Sequence, residues 1–491
     1  MNALSYAELA RAFLPEINLT VGALFVLGFD LATGRGKTTA QRLRPAVFFG
    51  MIAIIAALYA TISAGVGGPV FGGIFSLDAL TLATRLGVLL LAWLTLGLLN
   101  DVVALRHPAE YVAIILLATA GFTLMAGAQQ LLVAFLALEL ASLALYILAG
   151  WDKTSPQSAE AALKYFLFGA MSAAFLLFGF SLLYGVTGSI DLPIIAMQIS
   201  VTSMSPLVVV ALAMIIVAFG YKAAAAPFHL WAPDAYQGAP ASSAALIASA
   251  SKLAGFVFFL RLLWPGLGFT AGRISELPLV VGWAPMVALL ALASLLVGNF
   301  GALAQSNVRR LLAYSAIAHA GAMLLGVIAA GRAGPGPVFY YAATYGLATV
   351  GCFGVVAIVE RAGRCQNLTD LAGLHKRSPL LAGCLAVFVL SLAGVPPLAG
   401  FFGKFSVFAS ALKLSGLHGP VGWLAFAAIA LSAVGLYYYL LILKQALVAA
   451  PQENAATKIE VPVQAGLALL IAGTLIVLLG LFPSKILQLF S

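Results

Sequence analysis

Charge is what this chain has least of. Asp, Glu, Lys and Arg make up 8% of its 491 residues, against 63% hydrophobic. A soluble domain carries roughly 25% charged residues, so there is too little polar side chain here to cover a water-facing surface. The division into several soluble domains that length alone suggests is thereby excluded. Cysteine is nearly as scarce. Cys352, Cys365 and Cys384 have no metal-ligand spacing and two of them fall inside apolar runs, so packing is their expected role and no metal site is expected. The net charge of +9 comes from basic residues scattered between apolar runs, with no stripe of interleaved aromatics, so nucleic acid is not an expected partner. Met1 to Pro15 carries Glu8 and Arg11 but no basic region followed by a cleavage site, and no removable signal peptide is expected. Nucleotide signatures are missing too. Gly36, Lys37 and Thr38 resemble the end of a phosphate loop, but its first glycine position is Leu31 and no strand precedes it. No GxGxxG follows a strand, so no dinucleotide chemistry and no cofactor are expected on this chain. Asn367 to Thr369 matches a glycosylation triplet, in a loop assigned below to the cytoplasm.

What is present is apolar length. A bilayer core of about 30 Å needs roughly 20 apolar residues per helix. Cut by that ruler at charged, Gly-rich and Pro-rich breaks, the chain yields fourteen spans: 14–31, 46–63, 77–99, 111–126, 131–149, 160–186, 205–226, 241–263, 283–299, 308–330, 337–359, 378–412 with a break, 422–447 and 463–482. The fold class is therefore an all-α polytopic membrane protein.

Basic residues orient it. One set of loops holds Arg35, Lys37, Arg42, Arg44, Arg106, Lys153, Arg309, Arg310, Arg361, Arg364, Lys376, Arg377, Lys444 and Lys458. The other side, with both termini, holds Arg11, Arg261, Arg273, Arg332, Lys413 and Lys485. Fourteen against six places the first set in the cytoplasm and both termini outside. The remaining five of the 25 basic residues, Arg85, Lys164, Lys222, Lys252 and Lys404, fall inside spans.

Two spans read as discontinuous. Pro227, Pro233 and Pro240 interrupt the stretch that begins at Lys222, and Gly394 to Lys404 contains two adjacent prolines and three glycines. Non-helical backbone at membrane depth is tolerated where it is buried in protein or lines a watery cavity, so two breaks point to an internal path. A plain proline kink is the alternative. Lys222 and Lys404 lie 182 positions apart, each beside its break. The same offset brings Glu139 near His319 and Lys164 near Tyr345, which suggests two five-helix units, 106–265 and 266–450, flanked by 1–105 and 451–491. Five is odd, so the second unit enters the membrane from the opposite face, as an inverted repeat.

A lone charge in hydrocarbon costs at least about 2.5 to 3.5 kcal/mol, so each buried group must be paired, hydrated or neutral. Glu139 and Lys252 both sit mid-span, where burial favours the neutral form of either and so eases proton exchange. For Glu139 with Lys222 the competing reading is a static ion pair that fixes helix packing. For Lys164, near a span end, it is snorkelling to the interface. Arg85 is read as an anchor, since an arginine cannot release its proton. His229 and His319 read equally as relays or as hydrogen-bonded structural histidines. Tyr236, Ser249 and Ser315 are candidates to hold bridging water.

Three stretches carry a resemblance. YKAAAAPFHLWAPDAYQGAP at 221–240, RRLLAYSAIAHAG at 309–321 and GVPPLAGFFGKF at 394–405 resemble the hallmark segments of the antiporter-like membrane subunits of respiratory complex I and of multisubunit cation/proton antiporters. The resemblance runs from about residue 75 to 445, with Gln237 standing where an acid is expected. The length, the helix count, Lys404 and the lack of a long C-terminal lateral helix favour a complex I member over an antiporter subunit. The resemblance implies a proton-translocating subunit of an NADH:quinone oxidoreductase in a bacterial inner membrane, driven by quinone reduction elsewhere. Its implied partners are the other membrane-arm subunits, including a neighbouring antiporter-like subunit and the lateral helix of another. By the same resemblance Glu139 and Lys222 form a switching charge pair, Lys252 is the central proton site and Lys404 the exit-side site, with His229, His319 and buried water between, and with Lys164 in a secondary place.

Overall fold

Proline sets where many of the helices begin. It occupies the first turn of helices after short polar turns, where its missing N–H goes unused and its fixed φ is already helical. In the computed structural model, which describes residues 10–99, 106–201, 204–274, 280–363, 365–451 and 458–490, such starts open α1 (Leu14–Thr33), α4 (Pro108–Gly127), α6 (Pro156–Thr187), α8 (Pro206–Ala223), α14 (Gly336–Ala362), α16 (Pro379–Ala393) and α18 (Pro420–Leu447). Side-chain caps begin others. Asp78 caps α3 (Ala79–Gly97) and Asn307 caps α13 (Val308–Ala333).

The remaining long helices are α2 (Thr39–Ala64), α5 (Leu131–Ala149), α12 (Trp283–Leu303) and α19 (Val463–Leu481). Shorter ones are α7 (Leu192–Val201), α9 (Trp231–Gly238), α10 (Ala241–Ala248), α11 (Ala250–Arg261), α15 (Leu374–Arg377), α17 (Ala399–Ser415) and α20 (Ser484–Leu487). Among the described residues, 13 helical segments are long and apolar enough to cross a bilayer, one of them Ala241–Gly266, which includes α10 and α11. The broken pair α16 and α17 supplies the last of the fourteen expected spans. Arg364 of the basic set and Glu8 near the N-terminus lie outside the described residues.

Three local expectations need correction. α2 starts at Thr39 rather than 46, because Thr38 and Gln41 form a reciprocal capping box and Arg42 pairs with Asp30 of α1 at 2.5 Å. The turn after α2 contains an antiparallel hairpin, β1 (Gly68–Val70) with β2 (Phe75–Leu77), too short to leave a sequence signal. The eighth span is not continuous: Ser249, at φ −113° and ψ −82°, separates α10 from α11. Arg85 takes the anchoring role read for it, toward a neighbouring helix. It is buried in an ion pair with Glu16 of α1 at 2.8 Å and donates to the Ala12 carbonyl at 3.1 Å, tying α3 to the N-terminal helix.

Helix pairing follows a pattern. α4 packs on α5 as α12 packs on α13; α6 packs on α8 as α14 packs on α16; α11 closes onto α4 as α18 closes onto α12. The most enclosed helices, α10, α11, α13 and α14, form the centre of the bundle, and they carry most of the polar groups described next.

Candidate functional site

The two breaks are built alike. α8 ends with Ala224 in the left-handed region at φ 55°, and the Ala225 N–H reaches back to the Gly220 carbonyl at 2.7 Å. α16 ends with Gly394 at φ 86°, and the Val395 N–H reaches back to the Leu390 carbonyl at 3.0 Å. Both are Schellman-type ends, which use bonds of this kind to satisfy final carbonyls. Serines supply what the helices cannot. Ser294 accepts from the Ala226 N–H at 2.8 Å, and Ser391 accepts from the Gly400 N–H at 3.1 Å. Every backbone polar group at membrane depth needs such a partner. Aromatics hold the first break in place: Trp231 stacks on Tyr165 with centroids 4.3 Å apart and donates to the Tyr221 carbonyl at 3.1 Å.

The matching caps, Ala224 and Gly394, are 170 positions apart, not the 182 that separate the lysines. Lys222 and Lys404 are therefore not equivalent. Lys222 lies in the last turn of the half-helix before its break, and Lys404 lies on the half-helix after its own. They nonetheless serve similar ends. Lys404 reaches back across Gly394 to donate to the Ala393 carbonyl at 2.9 Å. Each amine thus sits at the C-terminal, electronegative end of a broken half-helix, reached from opposite sides.

From Glu139 inward the ionisable groups form a row. Glu139 of α5 and Lys222 of α8 line one cavity of about 10 Å³, room for about one water. They do not touch. The Lys222 ammonium donates to Ser142 Oγ at 3.1 Å, and Glu139 Oε1 is buried with no hydrogen-bond partner. The pair expected between them is thus one shared cavity with Ser142 in it, and no direct salt bridge joins them. A second cavity of about 10 Å³ is lined by both Lys222 and Lys252, with Gly255 between them. A Cβ at Gly255 would stand 3.4 Å from the Lys222 side chain, in ordinary van der Waals contact.

Lys252 is 2% exposed, and its ammonium donates to the Ala316 carbonyl at 2.6 Å. It also lies 5.4 Å from the centroid of the Tyr345 ring, a cation–π distance. His319 lies 4.9 Å from the centroid of the same ring. Its Nδ1 faces the Tyr341 hydroxyl at 2.8 Å, and Tyr341 in turn packs against Gly403, the residue before Lys404. Glu139, Lys222, Lys252, His319 and Lys404 are therefore consecutive members of one buried row.

Residues 128–434 match the family model described as NADH:quinone oxidoreductase/Mrp antiporter, transmembrane. The chain belongs to that family. It is 46% identical to NADH-quinone oxidoreductase subunit N 2 of Acidobacterium capsulatum, over 99% of each chain. It is 36% identical to NADH-quinone oxidoreductase subunit N of Nitrosomonas europaea, over 97% of this chain and 96% of the other. Among solved structures it matches a chain of respiratory complex I from Thermus thermophilus with bound aureothin, with TM-score 0.80 and 34% identity, covering 96% of this chain and 98% of that one. A chain of the Mrp complex from Dietzia sp. DQ12-45-1b shares the fold, with TM-score 0.81 at 22% identity, covering 98% and 96%.

Two of the expected proton-transfer residues, Lys164 and His229, fall outside the row. Lys164 is partly exposed and pairs with Glu160 and Asp234, each at 2.6 Å. Asp234 also receives Arg310 at 2.6 Å, and Arg310 donates to Gln237 at 3.0 Å, so Gln237 serves this cluster as a neutral acceptor. His229 lies in the first break with Nδ1 unpartnered, its ring 6.4 Å from that of Tyr314, and no contact joins it to the row. Ser249 bonds its own helix at the Ala245 carbonyl, and Ser315 bonds the Tyr439 hydroxyl. The Tyr236 hydroxyl is buried without a partner. Of the cysteines, Cys352, Cys365 and Cys384 are all buried and free.

The largest cavity, about 440 Å³, opens among the turns that carry Asp152, Asn307 and Gln366. Arg309 holds its wall. It ion-pairs with Glu360 and donates to the Gln237 and Ala239 carbonyls at 3.1 and 2.7 Å, clamping the end of α9. Sequence reasoning missed Tyr341 and Tyr439 altogether and met Tyr345 only as the repeat counterpart of Lys164. In sequence each is one more aromatic in an apolar helix, and nothing local distinguishes a ring that packs from one whose hydroxyl meets a histidine.

Proposed function

We propose that this chain is a proton-translocating membrane-arm subunit of an NADH:quinone oxidoreductase. Quinone reduction elsewhere in the assembly would drive the cycle, with no redox cofactor on this chain. The observation that carries the reading is the continuity of the row. Lys222 shares one cavity with Glu139 and another with Lys252, Lys252 and His319 lie against the same Tyr345 ring, and His319 meets Tyr341, which packs on Gly403 beside Lys404. A spacer helix bundle would need none of these groups, because each burial costs at least about 2.5 kcal/mol. An amine that can gain or lose a proton between two small cavities is a place to hold a proton in transit. The relatives named above as NADH-quinone oxidoreductase subunits support the driving reaction.

In this reading Glu139 and Lys222 are the coupling end. Glu139 lies beside an exposed apolar stripe of α5 that includes Leu136, Leu140 and Leu143, a face suited to a neighbouring membrane subunit or lipid. The parallel packing of α4 to α11 and α12 to α18, with matching breaks, supports two inverted five-helix units. The excess of lysine and arginine on one set of turns supports placing both termini outside a bacterial inner membrane. The decisive experiment replaces Lys252 by Ala in the assembled complex and measures acidification coupled to NADH oxidation in vesicles. Loss of pumping with assembly intact is expected; undiminished pumping in the assembled variant overturns the relay. Mrp-type cation exchange is the second reading, favoured by the shared fold. It predicts that proton movement requires a Na⁺ or K⁺ gradient, whereas redox-driven pumping persists without one.

A further inference from the structure

We propose that Tyr341 and Tyr439 are proton-transfer residues that join to His319 as a single-proton wire between the Lys252 and Lys404 ends of the row. This rests on the relay reading above and adds a mechanism and two residues to it. His319 is held at both ring nitrogens. Nδ1 faces the Tyr341 hydroxyl at 2.8 Å and Nε2 faces the Tyr439 hydroxyl at 2.9 Å. Tyr439 is in turn hydrogen-bonded to Ser315, one turn before His319 on α13. All four side chains are buried, and the hydroxyls come from three different helices, α14, α18 and α13.

A neutral imidazole has one N–H and one lone pair, so one tyrosine must accept from it while the other donates to it. The Tyr439 hydroxyl has one proton to share between Nε2 and Ser315, with the Tyr438 ring packed beside it and the Tyr438 hydroxyl donating to Asn299. If Tyr439 donates to Nε2, it accepts from Ser315; if it donates to Ser315, it accepts from Nε2–H. The four groups therefore share one polarity at a time. The wire ends close to the two lysines. Lys252 donates to the carbonyl of Ala316, next to Ser315, and Tyr341 packs on Gly403, next to Lys404.

One transfer balances as follows. Lys252, as ammonium beside the Ala316 carbonyl, releases a proton toward the adjacent Ser315, and the Ser315 hydroxyl proton passes to the Tyr439 oxygen. Tyr439 gives its own proton to Nε2, while Nδ1–H gives its proton to the Tyr341 oxygen. The original Tyr341 proton leaves toward the free amine of Lys404. Lys252 has lost one proton and Lys404 has gained one; every O–H and N–H broken is replaced, and nothing is oxidised. The imidazole ends neutral but with its proton on the other nitrogen. A second proton finds the polarity reversed and cannot follow until the first arrangement is restored. The wire thus transmits a proton and resists a continuous leak.

The test uses the assembled complex in proteoliposomes with Tyr439→Phe and Tyr341→Phe, each compared with Lys252→Ala. Pumping per NADH and the vibrational bands of ring-labelled histidine are recorded, with His319→Gln used to assign the His319 bands. The expected result is that each Phe variant loses as much pumping as Lys252→Ala and that the His319 bands stop exchanging between the two tautomers during turnover. Should a Phe variant fail to assemble, 3-fluorotyrosine at 439 keeps the shape and changes only the acidity of the hydroxyl, and it is expected to shift the tautomer bands and the pumping rate together. Wild-type pumping with unchanged tautomer bands in these variants, alongside loss in Lys252→Ala, overturns the wire and leaves the relay standing. Unchanged pumping in Lys252→Ala overturns the relay itself.

Discussion

The Lys404 ammonium donates to the carbonyl of Ala393 at 2.9 Å, closing the gap between the two halves of its broken helix. The side chain passes directly over Gly394, where a Cβ would stand 3.0 Å from its Cδ. The amine is thus both a charge at a helix C-terminus and a fastener of the break. Gly400, behind it, has no such latitude. A Cβ there would lie 1.8 Å from the Ser391 carbonyl oxygen, in backbone that cannot move aside. Gly400→Ala is expected to cost at least about 1 to 3 kcal/mol of overpacking. The complex should then fail to retain this subunit on a native gel, while Lys404→Ala is retained and loses pumping. Normal incorporation of Gly400→Ala would show that the second break is softer than its contacts indicate.

Glu139 is expected to be dispensable for assembly and needed for turnover. Its Oε1 has no hydrogen-bond partner and no ion pair joins it to Lys222, so Glu139→Gln removes charge without removing a contact. Quinone-reductase activity should fall while subunit content stays constant. A static pair predicts the reverse order, with assembly lost first.

Ser142 gives a second view of the same cavity. It accepts from the Lys222 ammonium at 3.1 Å, and a hydrogen bond to a charged group is worth about 1.5 to 3 kcal/mol. Ser142→Ala should therefore bias Lys222 toward its neutral form and slow pumping by about tenfold or more, as measured by initial acidification rates. Ser142→Thr, which keeps the hydroxyl, should recover most of the loss.

Lys164 should matter much less than Lys252. Its partners Glu160 and Asp234 are at 2.6 Å, but the group is partly exposed, and such pairs contribute about 0 to 1 kcal/mol. Lys164→Ala is expected to keep most of the pumping rate. A loss equal to that of Lys252→Ala would place Lys164 in the row.

Arg309 is expected to be a stability residue. It forks between the Gln237 and Ala239 carbonyls and Glu360, a geometry lysine cannot reproduce. Arg309→Lys should lower the thermal unfolding midpoint of the purified complex while proton yield per NADH in the surviving fraction is unchanged.

Helix positions were largely legible because apolar run length and proline are local signals. The fifth span ends where expected, at 131 and 149. The breaks were legible for the same reason. The break inside the eighth span was not, because Ser249 is a residue that helices tolerate and nothing near it forbids a regular ladder. The second helix was misjudged at its start because a capping box read as loop polarity.

The sequence by itself determined that this is a membrane bundle, that two of its helices are broken, and that Glu139, Lys222, Lys252 and Lys404 are buried within it. These follow from residue-by-residue partition between water and lipid and from proline's missing N–H. Only the tertiary structure decided which of those groups share a cavity, that Lys222 and Lys404 stand on opposite sides of their breaks, and that His319 is held between two tyrosines. Tyr439 and His319 are 120 positions apart. Their meeting depends on how α13 and α18 cross, and the spacing of residues along either helix does not encode that angle.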